Sequence, residues 1–262
     1  MNKRLLRIEI FQPTAHYRVP FAQKVKHTYP IPPYSTVKGL LANILGINKN
    51  IKEPKENELL AKLKETKMAI FGNFKSKSEE YTWLRNLSKD YHKDRFKSIE
   101  CRILNGEVEH PGGQLPAIIN TLNDVKIYIY LYHSDTEFLE KIENSFFNPT
   151  TRNEPLHLGR AEDIITIENV TQIEPKVDML EGNYKMFFWI PQKPYTWDNN
   201  ISFEFEKVRG LLYQIPTFYR IERGMRQFEY ITVKLNNGII TNIDFYIDSE
   251  LKYPIFLADF AT

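Results

Sequence analysis

The segment VKIYIYLYH at residues 125–133 constrains the fold of this chain more than any other. Four aliphatic residues alternate strictly with three tyrosines: Val125, Ile127, Ile129 and Leu131 against Tyr128, Tyr130 and Tyr132. This period of two predicts a β-strand with an aliphatic face and a tyrosine face. Tyrosines on an open sheet face can stack on RNA bases, but a β-rich region later in the chain also needs a surface to cover. We therefore predict that the tyrosine face is packed.

The segment STVKGLLANILG at residues 35–46 predicts a short amphipathic helix. Its aliphatic residues recur at the spacing of one helical face: Val37, Leu40, Leu41, Ile44 and Leu45. Ser35 or Thr36 is expected to cap the first free amides. Gly46 stands where a left-handed C-terminal cap belongs.

Further strands and helices are predicted before and after the helix at 35–46 and the strand at 125–133. Strands are predicted at 3–11, 67–74, 125–133 and 163–173, and helices at 35–46, 55–65 and 135–146. The order β-α-β-β-α-β is that of a ferredoxin-like or RRM-like domain. The predicted fold class is therefore α+β.

The rest of the chain divides into an excursion and a C-terminal region. Residues 75–122 read as a protruding hairpin inserted in the first domain, because loops of this length are commonly functional. Strand patterns dominate from 183 onwards, at YKMFFWI, ISFEFE, LLYQIPTFYRI, RQFEYITVKL and IITNIDFYI, with NNG at 236–238 as a hairpin turn. We predict a first domain at 1–178 and a smaller β-rich region at 179–262.

Several function classes are excluded by what the sequence lacks. Cys101 is the only cysteine, the six histidines are scattered, and no glycine-rich phosphate loop or nucleophile elbow occurs. We therefore expect no metal and no cofactor. An apolar run long enough to span a membrane is missing, as is a signal-peptide pattern, so a cytoplasmic protein with no membrane contact is expected.

Basic and aromatic residues concentrate near the N-terminus. Residues 1–50 hold eight Lys or Arg against one acid, a net +7 in a chain of net +2. The stretch HYRVPFAQKVKHTY mixes cations with rings, a pattern typical of single-stranded nucleic-acid binding. The residues predicted to contact RNA lie in this stretch, at the following helix N-terminus and in the excursion: Tyr17, Arg18, Lys24, Lys26, His27, Tyr29, Ser35, Thr36, Arg85 and Arg102.

A metal-independent ribonuclease is the alternative. A tyrosine or histidine that takes the 2′-hydroxyl proton, with a lysine that stabilises the phosphorane, is chemically sufficient. Lys26, His27 and Tyr29 could supply this set. A third interpretation is a β-rich protein with a solvated basic loop and no RNA partner.

Three segments together resemble CRISPR-associated protein family five of the RAMP superfamily. They are FQPTAHYR at 11–18, TYPIPPYSTVKGLLANILG at 28–46 and PLHLGRAED at 155–163. The resemblance runs in order along the chain and is most specific through GLLANILG. It implies an RRM-like RAMP domain with an inserted thumb hairpin at about 75–122, and it looks most like the I-B or I-A branches.

This resemblance implies a non-catalytic subunit of a type I Cascade antiviral surveillance complex. The family's role is to hold the 5′ handle of CRISPR RNA and to bridge the backbone and large subunits, with target DNA reached only through the complex. Lys38 and Arg160 join the predicted RNA contacts on this basis. One branch of the family cleaves RNA with Tyr, Lys and His, but here the pair Lys26–His27 precedes Tyr29, which departs from that pattern.

Overall fold

The structure is a computed structural model that describes residues 3–20, 25–47, 54–85, 103–104, 107–108, 114–198, 201–222 and 225–260. The side chains of 54–57, 84–85, 103–104, 107–108, 114–115, 220–222 and 225–226 are not described. Its helices are α1 (Tyr34–Ile44), α2 (Pro54–Glu65) and α3 (Thr136–Phe147), with 3₁₀ turns at Pro149–Thr151 and Phe205–Lys207. Its strands are β1 (Leu5–Ala15), β2 (Tyr17–Arg18), β3 (Val25–Lys26), β4 (Thr28–Tyr29), β5 (Lys67–Arg85), β6 (Ile103–Leu104), β7 (Glu107–Val108), β8 (Gln114–Tyr132), β9 (Thr166–Ile173), β10 (Pro175–Asn183), β11 (Phe187–Pro191), β12 (Leu211–Glu222), β13 (Met225–Asn236) and β14 (Ile239–Asp248).

The centre of the molecule is an antiparallel sheet with a ferredoxin-like strand order. Four of its strands lie in the order β5-β8-β1-β9, and α1 and α3 provide the two crossovers. The predicted α+β class and β-α-β-β-α-β order are confirmed. None of the helices in the described ranges is long and apolar enough to cross a membrane.

The aliphatic face of the sheet packs against the helices. Ile127, Ile129 and Leu131 share one buried cluster with Val37 and Leu41 of α1. Helix α1 begins one residue earlier than predicted: Pro33 is the N-cap and no side chain caps the helix, so the capping role expected of Ser35 or Thr36 is wrong. Its C-terminal end is as predicted. Gly46 has φ +69°, and the amides of Ile47 and Gly46 bond to the carbonyls of Ala42 and Asn43, which is a Schellman cap.

The tyrosine face is covered by the C-terminal region, which confirms the predicted packing. Tyr130 and Tyr132 are buried in a second cluster with Phe71, Phe188 and Phe245. The covering layer includes the two-stranded sheet of β10 and β14. The protein therefore has three layers, with helices on one side of the main sheet and β-structure on the other.

The C-terminal region also extends the main sheet. Strands β11, β13 and β12 continue it outward from the edge of β5. The boundary predicted between residues 178 and 179 falls inside β10, and the division into two domains stays a prediction. Two local predictions are wrong. ISFEFE ends in a 3₁₀ turn instead of forming a strand, and the NNG turn joins β13 to β14, which pair with different strands and form no hairpin.

The predicted excursion begins as a long two-stranded arm. Strands β5 and β8 have 19 residues each and stay paired from Lys67↔Tyr132 to Arg85↔Gln114. Strand β3 adds to the side of this arm in parallel with β8, through Val25↔Ile118 and Lys26↔Ile119. The core strands thus run directly into the arm, and its root lies beside the basic N-terminal segment.

Candidate nucleic-acid interface

The segments FQPTAHYR and PLHLGRAED meet at the root of the arm. Gln12 Nε2 donates hydrogen bonds to the main-chain oxygens of Leu158 and Asp163, at 3.0 and 2.9 Å. The buried Asp163 carboxylate accepts the amides of His16 and Arg160, at 3.0 and 2.9 Å. Two motifs separated by more than a hundred residues therefore build a single local structure.

Gly159 is required at this junction. Its φ is +112°, and a Cβ atom at this position would lie 2.8 Å from the main-chain oxygen of His16. Any other residue would combine backbone strain with a collision against main chain, which cannot move aside as a flexible side chain can. The glycine of LHLGR thus lets the loop close on His16.

Arg160 ties the loop to the arm. Its guanidinium lies 2.9 Å from Asp163 Oδ1, 2.9 Å from Glu80 Oε2 and 3.4 Å from Glu162 Oε1. Burial acts to lower the pKa of Arg160, but its hydrogen bonds to Asp163 and Glu80 prevail and raise it. The structure assigns Arg160 to these ion pairs, and its phosphate contact stays a prediction.

Asn120 of β8 holds two histidines. The main-chain oxygen of Asn120 lies 2.8 Å from Nδ1 of the buried His16. Its side-chain oxygen lies 3.0 Å from Nδ1 of the exposed His27, and its side-chain nitrogen donates to Glu79 Oε1 at 3.2 Å. Burial lowers the pKa of His16, and the charges of Arg160 and Arg18 lower it further, so that this ring is neutral at pH 7.

Arg18 and His27 are both exposed at this root. Strands β2 and β4 pair through Tyr17↔Tyr29 and Arg18↔Thr28, and the amide of Val19 donates to the oxygen of His27 at 2.9 Å. This small ribbon fixes the backbone on both sides of the two side chains. It presents a guanidinium and an imidazole to solvent, as predicted for an anion-facing loop.

Four residues predicted to contact RNA are buried, namely Tyr17, Lys26, Tyr29 and Lys38. The exposed fractions of Tyr17, Tyr29 and Lys38 are 1%, 4% and 2%. Burial raises the pKa of both tyrosines. Tyr17 donates to Gln12 Oε1 at 2.5 Å, and Tyr29 packs edge-on against Trp189 and Tyr213. The prediction that these two rings stack on bases is corrected, because both rings belong to the core that positions the loop.

Lys38 lies beneath the β12–β13 hairpin. Its Nζ is 3.7 Å from the ring centre of Phe260 and 5.5 Å from that of Phe218, and it donates to the oxygen of Lys64 at 3.3 Å. Burial lowers its pKa to about 7. The predicted phosphate contact of Lys38 is corrected in turn, because the ammonium group is enclosed by protein.

The other predicted contacts are only partly placed by the structure. Lys26 is buried beside β8, while Ser35 and Thr36 are half-exposed in the first turn of α1. Arg85 is the last residue of β5, and its side chain lies outside the described part of the chain. Lys24 and Arg102 also lie outside the described residues.

Sequence reasoning missed two aromatic residues on the arm. Tyr81 and Trp83 have exposed fractions of 66% and 54%, and their ring centres lie 6.1 Å apart in an edge-to-face arrangement. Because alternate residues of a strand share a face, they lie on the face of Glu79, which is linked through Asn120 to His27. The sequence did contain a signal for this pair, because Tyr81 and Trp83 stand two residues apart in an otherwise polar strand. In the described ranges no group of His, Cys, Asp and Glu side chains could hold a metal ion.

A known protein family matches part of this chain. The family described as CRISPR-associated protein (Cas_Cas5) matches residues 5–111, from β1 into the arm. This match makes the chain similar to the Cas5 family over 107 of its 262 residues. Its first two recognised motifs, FQPTAHYR and TYPIPPYSTVKGLLANILG, fall within that match, while PLHLGRAED lies beyond it and joins them in space. No curated protein gives a match.

The chain is also similar to solved structures at low sequence identity. A chain described as "CRISPR RNA-guided surveillance complex" is 12% identical with a TM-score of 0.51, covering 92% of this chain and 90% of that one. A "Cas protein" is 13% identical, with a TM-score of 0.46 and coverages of 95% and 98%. A CRISPR protein from Archaeoglobus fulgidus is 13% identical, with a TM-score of 0.40 and coverages of 98% and 99%. At these identities the first likeness concerns the fold alone.

Proposed function

We propose that this protein is a Cas5-type, non-catalytic RNA-binding subunit of a type I Cascade complex, which caps the 5′ handle of CRISPR RNA and bridges the backbone and large subunits. The observation that carries the proposal is the composition of one face of the arm. Exposed Arg18 and His27 lie at its root, and exposed Tyr81 and Trp83 lie further along it. Cations hold phosphates and exposed rings stack on unpaired bases.

The acidic residues beside this face are already engaged. Glu80 is paired with Arg160, and Glu79 accepts from Asn120. The Arg160 hydrogen bond lowers the pKa of Glu80, so that this carboxylate stays ionised and bound to its partner. Three cations of the basic N-terminal segment, Arg7, Lys26 and Lys38, are buried. The anion-binding role therefore rests on Arg18, with Lys75 and Lys77 exposed along β5.

The absence of a cleavage role is also part of the proposal. The ribonuclease alternative needs Lys26, His27 and Tyr29 around one phosphate, but Tyr29 lies in the core and burial raises its pKa. Such a hydroxyl is a poor general base. Lys26 is buried while His27 is exposed, so the three groups do not face a common surface.

The shape of the arm supports the bridging role. A two-stranded arm that leaves a three-layer body offers two sides, one toward RNA and the other toward a neighbouring subunit. The structure matched over 92% of this chain is itself described as an RNA-guided surveillance complex. Assignment to the I-B branch stays a prediction.

Binding and cleavage can be tested in one experiment. Purified protein is incubated in EDTA with labelled repeat RNA from the neighbouring CRISPR array and with a scrambled RNA, and both complex formation and product length are measured. We expect salt-sensitive binding that favours the repeat RNA, with the RNA left intact. Specific cleavage that is lost in His27→Ala would establish the ribonuclease instead. If neither RNA binds, both the RNA-binding subunit and the ribonuclease are disproved.

A further inference from the structure

A chain of hydrogen bonds controls the orientation of His27. Glu79 Oε1 accepts from Asn120 Nδ2 at 3.2 Å, and Asn120 Oδ1 lies 3.0 Å from His27 Nδ1. Asn120 is buried, whereas Glu79 and His27 are exposed at the two ends of the chain. The contacts join two strands of the arm to the basic loop.

The chemistry of these groups fixes the direction of every hydrogen bond. An ionised carboxylate only accepts, so the Asn120 amide must direct its NH₂ group toward Glu79 and its oxygen toward His27. An amide oxygen also only accepts, so Nδ1 of His27 must carry the proton. In a neutral imidazole, Nε2 is then an acceptor with a free lone pair.

His16 holds the same residue from its main chain. Its Nδ1 lies 2.8 Å from the main-chain oxygen of Asn120, which can only accept, so His16 is also protonated at Nδ1. Because His16 is buried and Asp163 accepts its amide, it fixes the position of Asn120 in β8. Asn120 is thus a positioning residue whose main-chain oxygen, side-chain oxygen and side-chain nitrogen each have a protein partner.

We propose that Nε2 of His27 accepts a hydrogen bond from a ribose 2′-hydroxyl and so selects RNA over DNA at this site. The inference rests on the proposed RNA-binding function. Phosphate oxygens only accept and cannot satisfy this lone pair, whereas a 2′-hydroxyl can donate to it. Arg18, which is exposed in the adjoining strand β2, is the cation available for a neighbouring phosphate. A base N–H is the other possible donor, and it is distinguished by experiment.

Binding is compared for a single-stranded repeat RNA, the same RNA with 2′-O-methyl riboses, and DNA of the same sequence. Loss of one hydrogen bond corresponds to about threefold to tenfold weaker binding. We expect the wild type to favour the unmodified RNA by this factor over both others, and His27→Ala to bind RNA and 2′-O-methyl RNA equally. If the wild type binds these two equally but responds to base changes through His27, the donor is a base and the ribose contact is disproved.

The positioning role has its own readout in the ring-nitrogen NMR of the full chain without RNA, at about pH 8 so that imidazoles are neutral. We expect the Nδ1–H tautomer at His27, lost in Asn120→Leu because a leucine side chain offers Nδ1 no acceptor. The double variant Asn120→Asp with Glu79→Gln keeps an acceptor toward His27 and places a donor on residue 79 toward residue 120, so it should retain both the tautomer and the RNA preference. An Nε2–H tautomer in the wild type overturns the inference.

The experiments distinguish failure of the proposed RNA-binding function from failure of the ribose contact. If no RNA binds, the proposed function and the ribose contact both fall, whatever the tautomer. If RNA binds with the expected salt dependence but without discrimination against 2′-O-methyl RNA, the ribose contact alone falls.

Discussion

Arg7 and Asp248 form a buried ion pair, 2.7 Å from Nη1 to Oδ2, that joins the first strand of the chain to the last. Tyr130 donates to the same carboxylate oxygen at 2.7 Å, and Glu250 lies 2.9 Å from the other guanidinium nitrogen. Burial acts to raise the pKa of Asp248, but its bonds to Arg7 and Tyr130 prevail and lower it. Arg7 is one of the eight basic residues among the first 50, but it is buried and links the main sheet to the covering layer.

Removing Arg7 should destabilise the protein strongly. Arg7→Met leaves a buried carboxylate without its cation, and breaking such a pair costs about 3–5 kcal/mol. Glu250→Gln is the matched control, because its exposed carboxylate contributes about 0–1 kcal/mol. Urea unfolding of the two variants measures the difference. Equal effects would show that the buried pair contributes no more than the surface one.

The buried Lys38 should make the free energy of unfolding depend on pH between about 7 and 10.5. Its folded pKa of about 7 is below the ordinary 10.5, so between these values the unfolded chain binds more protons and the free energy of unfolding rises with pH. At about 1.4 kcal/mol for each pKa unit, the rise is on the order of 4 kcal/mol. Lys38→Met should be more stable than the wild type near pH 7 and lose this dependence. A wild-type stability that is flat from pH 7 to 10 would contradict the assignment.

The two glycines Gly159 and Gly39 should respond to alanine in opposite directions. Gly159→Ala forces a positive φ on a side chain that meets the His16 backbone, with a cost of about 1–3 kcal/mol. Gly39 is exposed in α1 with no atom within 4 Å of the new Cβ, so Gly39→Ala should stabilise by about 0.5–1 kcal/mol. Thermal melts of both variants test this. A stabilising Gly159→Ala would mean that the loop does not close on His16 as described.

Arg18 and Trp83 should affect RNA binding in different ways. Arg18→Ala removes a phosphate partner, so the slope of log affinity against log salt should decrease by about one. Trp83→Ala removes a ring, which weakens binding by about 1–3 kcal/mol and leaves the slope unchanged. Lys176→Ala is the control for lost charge, since Lys176 is an exposed cation on β10 in the covering layer. A slope change in Lys176→Ala as large as in Arg18→Ala would show a diffuse charge effect.

The central sheet could be predicted because its signals are local. The alternation in VKIYIYLYH and the spacing in GLLANILG each report which face of an element is buried. The fate of Arg7, Tyr17, Tyr29 and Lys38 could not be read in this way, because their partners lie far along the chain and the same residue types suit a surface. The sequence pattern therefore located the basic loop, and tertiary contacts decided which side chains face outward.

Tyr81 and Trp83 illustrate a further limit. Their exposure follows from the pairing of β5 with β8 beyond the core, and a ring in a strand is as typical of packing as of binding. The hairpin expected at NNG failed for a related reason. The turn chemistry was right, but β14 finds its partner in β10 instead of β13.

The addition of C-terminal strands to the edge of β5 has a consequence for synthesis on the ribosome. Met68 pairs with Ala258, and Arg7 pairs with Asp248. Nearly the whole chain must be translated before the first strand and the start of the arm acquire these partners. Because contacts so distant in sequence form late, the nascent N-terminal half leaves the ribosome with its tyrosine face uncovered.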